Sequence, residues 1–367
     1  MKILDFGSLN IDRVYAMDHF VTPGETISSS SLNVGCGGKG LNQAIACKKA
    51  GSEVYMAGKI GSDGMALLRK LKEFGVDTDY VRIRENEFSG HAIIQVDKSG
   101  QNNIILYGGT NRTIDKNYVD TVFEKFGKGD ILLLQNEISC LDYIIEKGRE
   151  KGMTVVLNPS PMDEKLLRCD LSKVSIFIMN EVEAKAICGF DSAEKAIEVL
   201  HKKYPNSKIV ITLGGDGSVY FDGTKIYRRG IYKVNAVDTT AAGDTFTGYF
   251  LNGILTGMYP EEILKMSAKA SAMAVSKHGA ADSIPFKEEV LAYIFCDKFI
   301  LEISSVASGC SFSIVPRSIK LYLSKEKGED KILVTSPLFL IVDNMTLPIK
   351  RKNIKLIIFF MNHKPSF

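Results

Sequence analysis

The segment Val237–Phe250, VDTTAAGDTFTGYF, places an acidic residue directly after a run of small side chains. It follows a strand-like run, Tyr232–Val237, and its own apolar residues recur at helical spacing, so the sequence predicts a strand that feeds a helix. The predicted first turn of this helix contains only small residues: Ala241, Ala242 and Gly243. Such a turn leaves backbone N–H groups bare at the positive end of the helix dipole, where an anion such as a phosphate is held.

Asp244 lies in the same predicted first turn, and its carboxylate has two interpretations. In the first, the side chain only complements the helix dipole. In the second, it is a general base that takes a proton from a substrate hydroxyl while the neighbouring amides stabilise charge on a transferring phosphoryl group. Motifs elsewhere in the chain are needed to distinguish these two interpretations.

A second glycine-rich segment, GCGGKGLNQ, opens a predicted helix that ends at Gly51. Four of its residues let the backbone approach a ligand closely, namely Gly35, Gly37, Gly38 and Gly40. Lys39 and Asn42 add donors that suit hydroxyl groups. The alternative is a glycine-rich helix start without a ligand. The segment is not a P-loop, because no GK[ST] follows four free positions after a glycine.

Polar residues follow the ends of several predicted strands, which is where ligands bind in open α/β sheets. These residues are Asp12, Gln135, Asn136, Glu137, Asn158, Asn180, Glu181 and Glu183. Because the carboxyl ends of neighbouring parallel strands lie together, the pattern indicates a shared site. For the segment NEVE, helix capping by Asn180 and Glu183 is an alternative that is compatible with a site.

Two further loops have weaker signals. The segment KIVITLGGDGSVY predicts a strand, a turn and a strand. Its turn can wrap the phosphates of a nucleotide or serve only as a hairpin turn, and contains Thr212, Gly214, Gly215 and Gly217. The loop HGAADS, residues 278–283, either offers carbonyl oxygens to an ion and edges to an adenine, or is a plain interhelical turn.

The elements that position these residues alternate between strand and helix from Gly129 onward, which predicts a parallel sheet covered by helices on both faces. A further helix is predicted to be capped by Asp63 and to run to Gly75. Two stretches of alternating polarity, at about residues 10–34 and 88–108, interrupt this order and predict hairpins that form a small β lid over the strand ends.

Composition excludes several function classes. The chain of 367 residues is 45% hydrophobic and 24% charged, as soluble globular proteins are. A net charge of +3 does not indicate a nucleic-acid or membrane partner. The seven cysteines include no CxxC pair, which is typical of a reducing compartment. With no secretion signal and no membrane-spanning run, we expect a cytoplasmic protein.

The motifs GSLNID, GCGGKGLNQ, NEVE, TLGGDGS and DTTAAGDTF occur in one order over about residues 1–295. Together they resemble the ribokinase-like family of ATP-dependent carbohydrate kinases, and within it they are most similar to the ribokinases. The resemblance implies a three-layer α/β sandwich with a mainly parallel central sheet and a β lid. It also implies transfer of the γ-phosphate of ATP to the primary hydroxyl of a small sugar. Ribose is the first expectation; fructose, deoxyribose, a nucleoside, or sugar binding without catalysis are alternatives.

The resemblance further implies roles for matching positions. Asp244 would be the base, and the anion hole would consist of Ala241, Ala242 and Gly243. The sugar would be bound by Asp12, Gly38, Lys39, Asn42, Glu137 and Asp244. ATP and its Mg²⁺ would be bound by Asn180, Glu183, Thr212, Gly214 and Gly217. A monovalent cation, K⁺, would lie among Asp238, Thr240, Ala274, Lys277, Gly279 and Ser283, mostly on backbone oxygens.

Two features depart from the family pattern. Leu41 replaces the usual small residue of the GGKGxNQ loop, which should alter only the packing beneath that loop. Residues 296–367 form a C-terminal extension of unknown role, with eleven basic and six acidic residues in 297–367. Because both predicted hairpins present free strand edges, we expect a homodimer that pairs through the lids.

Overall fold

The structure is a computed structural model that describes residues 1–293, 311–313, 320–326 and 329–335. The chain divides into two compact units, Met1–Val290 and Leu291–Phe367. The strands of the first unit are β1 (Ile3–Phe6), β2 (Asn10–Ala16), β3 (Ser31–Gly37), β4 (Val54–Gly61), β5 (Asp77–Arg84), β6 (Gly90–Val96), β7 (Asn102–Tyr107), β8 (Ile131–Gln135), β9 (Thr154–Asn158), β10 (Ile176–Asn180), β11 (Lys208–Thr212), β12 (Ser218–Phe221) and β13 (Ile226–Arg229).

The helices are α1 (Lys39–Lys49), α2 (Met65–Glu73), α3 (Lys116–Phe123), α4 (Leu141–Glu150), α5 (Glu181–Cys188), α6 (Ala193–Lys203), α7 (Ala242–Leu255), α8 (Pro260–Val275) and α9 (Lys287–Ala292). Among the described residues, no helix combines the length and apolarity that crossing a membrane requires.

The central sheet of the described chain has nine strands in the order β13-β12-β11-β10-β9-β8-β1-β4-β5. Pairing is parallel from β11 through β5, whereas β12 and β13 pair antiparallel at one edge. This confirms the predicted α/β fold with a mainly parallel sheet. Because parallel strands share a direction, the loops that follow β1, β8, β10 and β11 emerge at one edge of the sheet.

Side chains of β1 alternate between the two faces of the sheet. Leu4 and Phe6 belong to a buried cluster that also contains residues of α3, α4 and α6. Ile3 belongs to the cluster on the other face, which contains residues of α1, α2, α7 and α8. The sheet is therefore covered on both faces, as the sequence predicts.

Helices α1 and α7 pack closely together over the second of these faces. A Cβ atom at Gly248 in α7 would overlap the backbone of Ala46 and Cys47 in α1, so only glycine allows this approach. A Cβ at Gly40 would likewise lie 2.5 Å from the backbone nitrogen of Ser8, which follows β1. The first contact packs the second half of α1 against the middle of α7, and the second places the start of α1 against the residue that follows β1.

A second sheet of four strands has the order β3-β2-β6-β7. The pairs β2–β3 and β6–β7 are antiparallel hairpins, and β2 joins them by pairing parallel with β6. Both predicted hairpins are thus present. Their action as a lid stays a prediction.

The predicted strand Tyr232–Val237 is wrong, since β13 ends at Arg229 and no strand covers that segment. The backbone N–H groups of Val237 and Asp238 instead donate to the carbonyl of Val275, the last residue of α8, at 2.8 and 3.2 Å. The N–H groups of this segment are therefore bonded to the end of a helix and not to a neighbouring strand.

The predicted cap at Asp63 is also wrong. Its Oδ1 accepts from the N–H and the hydroxyl of Ser89 at 3.0 and 2.7 Å, and α2 begins at Met65 without a side-chain cap. The carboxylate of Asp63 therefore accepts hydrogen bonds from Ser89 and not from an N–H group at the start of α2.

In the second unit the described residues include β14 (Ser311–Ser313), β15 (Lys320–Glu326) and β16 (Glu329–Thr335). They form an antiparallel sheet in the order β14-β15-β16. The rest of the predicted extension, 296–367, lies outside the described residues.

Candidate active site

Asp244 is buried in the first turn of α7, and each of its carboxylate oxygens accepts a hydrogen bond from α1. Gln43 Nε2 donates to Oδ1 at 2.9 Å, and Asn42 Nδ2 donates to Oδ2 at 3.3 Å. The close packing of α1 on α7 supplies both donors.

Burial raises the pKa of the Asp244 carboxyl above its ordinary value. The positive charge of Lys39 and the hydrogen bonds from Gln43 and Asn42 oppose that rise. A buried carboxylate with a raised pKa accepts a proton more readily than an exposed one, which favours the general-base interpretation over simple dipole complementation.

The start of α7 is open to a ligand. Ala241 precedes the helix as its N-cap, and a Cβ atom built on Gly243 has no described residue within 4 Å apart from its chain neighbours and the adjoining helix backbone. The N–H groups of a first helical turn have no intrahelical acceptor. The anion hole was predicted at Ala241, Ala242 and Gly243, but the N–H of Ala242 donates to the carbonyl of Thr239 at 3.2 Å. The amides of Gly243 and Asp244 are therefore the ones that suit an anion.

Glu137 connects the end of β8 to the start of α1. Its Oε2 accepts from the Ser8 hydroxyl and from the backbone N–H of Lys39, the latter at 3.3 Å. Gly38 permits the turn into α1 because its φ of 94° lies in the region that favours glycine. Glu137 therefore lies beside the glycine-rich loop, as its predicted role requires.

Asp12 lies on β2, opposite Gly35 of β3. A Cβ at Gly37 would overlap the Asp12 carboxylate, so the glycine leaves room for this side chain. Burial, together with the negative charge of Glu137, raises the pKa of Asp12 to about 6. The structure thus brings together the residues predicted for the sugar: Asp12, Gly38, Lys39, Asn42, Glu137 and Asp244.

Asn42 has one atom without a partner in the described part of the chain. Its Oδ1 is buried and accepts no hydrogen bond, although its Nδ2 donates to Asp244. Buried polar atoms are normally paired, so Oδ1 is a free acceptor for a ligand hydroxyl.

The residues predicted for the nucleotide lie at the carboxyl ends of β10 and β11. Asn180 and Glu183 form a capping box at the start of α5: Asn180 Oδ1 accepts from the Glu183 N–H at 2.8 Å, and Glu183 Oε2 accepts from the Asn180 N–H at 3.0 Å. Helix capping, the alternative interpretation of NEVE, is therefore confirmed. Thr212 pairs with Asn180 in the sheet, while Gly214 and Gly217 adopt positive φ in the following turn. Within the described residues, no hydrogen bond joins this group to Asp244.

The residues predicted for the monovalent cation are only partly gathered. Asp238 Oδ1 accepts from the N–H and hydroxyl of Thr240 at 2.9 and 2.5 Å, and its Oδ2 accepts from the N–H of Gly279 at 3.0 Å. Burial alone would raise the pKa of Asp238, but these bonds hold it below its ordinary value.

Two other predicted cation ligands hydrogen-bond to residues three positions away in the chain. The carbonyl of Ala274 accepts from the N–H of Lys277 at 3.1 Å, and the Ser283 hydroxyl donates to the carbonyl of Ala280 at 2.9 Å. Asp238, Thr240 and Gly279 are thus tied together directly, whereas no side-chain bond ties Ser283 to them within the described chain.

Sequence reasoning missed the buried amides and the acid behind the site, namely Gln43, Gln135 and Asp5. Gln43 ends the glycine-rich motif, and Gln135 was considered only as a strand-end residue. Asp5 stands within a strand that is otherwise apolar. An acidic residue in such a strand was the available signal, because a buried carboxyl needs partners.

The chain matches the family model of pfkB family carbohydrate kinases over residues 2–287. A ribokinase of Haemophilus influenzae is 35% identical over 301 residues, covering 78% of this chain and 96% of the relative. A deoxyribokinase of Salmonella typhi is 31% identical over 303 residues, covering 80% of this chain and 99% of the relative. A solved structure of Arabidopsis thaliana ribokinase complexed with ribose and ATP is 31% identical, with a TM-score of 0.71 and coverage of 79% and 97%.

Proposed function

Because the chain belongs to the pfkB family of carbohydrate kinases, we propose that it transfers the γ-phosphate of ATP to the primary hydroxyl of ribose, giving ribose 5-phosphate and ADP. The observation that carries the proposal is the buried Asp244, held by two amides of α1 at an open helix start. The ribokinases of Haemophilus influenzae and Arabidopsis support ribose as the acceptor.

In the proposed reaction, Asp244 accepts the proton of the sugar hydroxyl on Oδ2. The hydroxyl oxygen then forms a bond to the γ-phosphorus, while the bond between this phosphorus and the oxygen of the β-phosphate breaks and ADP leaves. The N–H groups of Gly243 and Asp244 stabilise the charge on the transferring group at the positive end of α7. Positioning, a proton acceptor and this charge balance are what phosphoryl transfer needs from a protein.

The sugar is proposed to lie between the glycine-rich loop and the small sheet. Asp12, Glu137 and Asn42 Oδ1 offer acceptors to its hydroxyls, and Lys39 offers a donor. Such a polar set suits a free sugar with several hydroxyls better than a nucleoside, whose base needs an apolar or aromatic platform.

The ends of β10 and β11 are proposed to hold ATP and its Mg²⁺. Apart from its chain neighbours, no residue that the structure describes lies within 4 Å of a Cβ built on Gly215, so the turn after β11 has room for phosphates. Polar groups for the nucleotide and the metal come from Asn180, Glu183, Thr212, Gly214 and Gly217. Mg²⁺ would supply charge neutralisation at the β- and γ-phosphates.

A K⁺ site is proposed beside the anion hole. Asp238 is a fitting ligand because its lowered pKa keeps it ionised and oxygen donors suit hard cations. The remaining ligands would be oxygens of Thr240, Ala274, Lys277, Gly279 and Ser283. The role of these residues is to balance the charge near the start of α7.

A homodimer through the small sheet is proposed because both of its edge strands expose apolar side chains. Leu32 and Val34 of β3 are 50% and 56% exposed, and Ile104 and Ile105 of β7 are 57% and 60% exposed. Pairing of two such sheets would cover free edges and apolar surface together. It would also help the lid to exclude water, which competes with the sugar for the phosphoryl group.

The experiment is coupled measurement of ADP release with Mg-ATP and ribose, 2-deoxyribose, fructose or adenosine, in potassium and in sodium buffers. We expect the highest kcat/KM with ribose, and activation by potassium. 2-Deoxyribose is the second candidate, because the similar Salmonella typhi relative is a deoxyribokinase. ADP release no faster than with ATP alone, for every acceptor, would contradict the proposed function.

A further inference from the structure

Three hydrogen bonds lead from Asp244 into the centre of the sheet. Gln43 Nε2 donates to Asp244 Oδ1 at 2.9 Å, and Gln135 Nε2 donates to Gln43 Oε1 at 2.8 Å. The same Gln135 Nε2 donates to Oδ1 of Asp5 at 3.1 Å. The side chains are buried throughout, with exposed fractions of 7% for Asp244, 1% for Gln43 and 0% for both Gln135 and Asp5.

The direction of these bonds is fixed from the Asp244 end. An ionised carboxylate only accepts hydrogen bonds, so Gln43 must turn Nε2 toward Asp244 and Oε1 toward Gln135. Gln135 must then turn Nε2 toward Gln43, and its second N–H reaches Asp5. Turning over either amide would bring two acceptor oxygens together.

This arrangement leaves Gln135 Oε1 buried without a partner among the described residues. A pair of glutamines that served packing alone could avoid such a loss, since buried polar atoms are normally satisfied. The space for the amide also depends on Gly7, where a Cβ atom would overlap Gln135 Oε1. The arrangement therefore keeps an N–H donor of Gln43 directed at Asp244, although it leaves Gln135 Oε1 without a hydrogen-bond partner.

The surroundings of Asp5, at the far end of these bonds, disfavour its ionised form. Burial raises its pKa well above the ordinary value; the bond from Gln135 opposes this rise, and the charge of Asp244 adds to it. Cys47 is the other titratable group that faces Asp5, and burial raises the pKa of its thiol. Within the described chain Oδ2 of Asp5 has no partner, so an ionised Asp5 would be a buried charge without compensation.

We propose that Gln43, oriented by Gln135 and Asp5, is a positioning residue that stabilises the ionised form of Asp244 and fixes its Oδ1, so that Oδ2, which accepts only the longer bond from Asn42, takes the proton of the substrate hydroxyl. The inference rests on the proposed function. Lys39 and Asp5 are the charged or titratable groups that face Asp244, and Lys39 lies outside this chain of bonds.

The test replaces each glutamine by methionine, which keeps the length and volume of the side chain but removes the amide. Gln43→Met removes the donor to Asp244, so the pKa of Asp244 rises and the acid limb of the kcat profile moves to higher pH. We expect a shift of about one pH unit. The free energy of a hydrogen bond to a charged group corresponds to a change of about one unit in the pKa of that group. Gln135→Met keeps the Gln43 amide that donates to Asp244 but removes the bond that orients this amide. We expect a smaller shift of the acid limb in the same direction.

Asn252→Leu is the matched control. Asn252 Nδ2 donates to the Ser52 hydroxyl at 3.0 Å, so the variant removes a buried bond between α7 and the residues after α1 without touching Asp244. We expect it to lower the unfolding temperature and to leave the acid limb in place. The kcat profile is used because, with the sugar bound, it reports the ionisation of the base in the complex.

The variant Asp5→Asn tests whether Asp5 is neutral or ionised in the folded wild-type protein. The folded pKa is raised, so wild-type stability falls as pH rises from about 4 toward the folded pKa, and the variant escapes this loss. We expect Asp5→Asn to keep the kcat profile and to unfold at a higher temperature than the wild type at pH 7.5.

An acid limb that stays in place in both methionine variants, or that Asn252→Leu moves equally, would overturn the inference. A downward shift in Asp5→Asn would overturn the neutral state of Asp5. A wild-type protein that releases no ADP with any sugar overturns the proposed function as well, whereas an active wild type with unshifted variants overturns the positioning role alone.

Discussion

At the scale of single residues, the proposed site and the bonds behind it contain acidic side chains whose pKa values are raised by burial. Asp5, Asp12 and Asp244 all have raised pKa values, and burial is the largest cause in each case. Their surroundings nevertheless differ: Asp244 faces Lys39 and two amide donors, whereas Asp12 faces the charge of Glu137. These differences predict different behaviour with pH.

Asp12 should control the affinity for the sugar near pH 6. Its pKa of about 6 means that it loses its negative charge, and becomes a weaker acceptor, as pH falls through this value. We expect kcat/KM for the sugar to fall below pH 6 as KM rises, by up to tenfold for each pH unit. Asp12→Asn should raise KM at pH 7.5 and make it nearly independent of pH between 5.5 and 7.5.

Steady-state kinetics across this pH range would check the role of Asp12. A wild-type KM that stays constant down to pH 5, or a variant with the same pH dependence as the wild type, would exclude Asp12 as the group that titrates.

Asp244 and the glycine-rich loop were accessible from sequence because their signals are local. The bonds behind them were not, because they join residues far apart: Gln135 lies 92 positions from Gln43 and 130 from Asp5. Within its strand Asp5 interrupts a buried apolar run, and only the pairing of β1 with β8 shows that it contacts Gln135.

At the scale of elements, the start of α7 contains one position, Gly243, where a substitution should increase stability but lower activity. Apart from its chain neighbours and the adjoining helix backbone, no part of the described chain lies within 4 Å of a Cβ at Gly243, and the residue has no positive φ, so alanine fits the fold. Gly243→Ala should raise the free energy of unfolding by about 0.5–1 kcal/mol, because alanine favours a helix over glycine. It should also lower kcat on the order of a hundredfold, since the methyl group projects into the anion hole.

Thermal unfolding and kcat of Gly243→Ala would be measured beside those of Gly127→Ala. Gly127 lies outside the proposed site and has no positive φ, and a Cβ atom built on it comes no closer than 3.8 Å to another described residue apart from its chain neighbours. Full activity of Gly243→Ala would remove the start of α7 from the reaction.

The alternation of buried strands and helices predicted most of the central sheet, because buried parallel strands are marked by continuous apolar runs. The strand predicted over Tyr232–Val237 failed for a physical reason that no local pattern shows. The carbonyl of Val275 at the end of α8 takes the N–H groups of Val237 and Asp238, and so competes with strand pairing.

At the scale of the whole molecule, the small sheet predicts assembly. Ile105 of β7 is 60% exposed on an edge strand, where a second copy would cover it. We expect the wild type to sediment as a dimer and Ile105→Glu to sediment as a monomer with a higher KM for the sugar, because the lid loses its support.

Leu167→Glu is the control for the lid, since Leu167 is 46% exposed outside the small sheet and should leave the dimer intact. Sedimentation velocity distinguishes the states. A monomeric wild type, or a dimeric Ile105→Glu, would contradict pairing through the lids.

The C-terminal extension is expected to be dispensable for catalysis. The family match ends at residue 287 and the first compact unit ends at Val290, so the proposed site lies within the earlier part of the chain. Truncation after Cys296 should leave kcat and KM within about twofold of the full chain. A truncated chain that folds but loses activity, as judged by circular dichroism and ADP release, would give the extension a part in catalysis.

The central claim is that Asp244 removes the proton of the sugar hydroxyl, and Asp244→Asn tests it most directly. The amide keeps the shape of the side chain but cannot act as the base. With Mg-ATP and the best sugar of the panel, we expect ADP release to fall by at least about a hundredfold, while the unfolding temperature and sugar binding measured by calorimetry persist. Release of ADP at the wild-type rate by a folded Asp244→Asn variant would contradict the account.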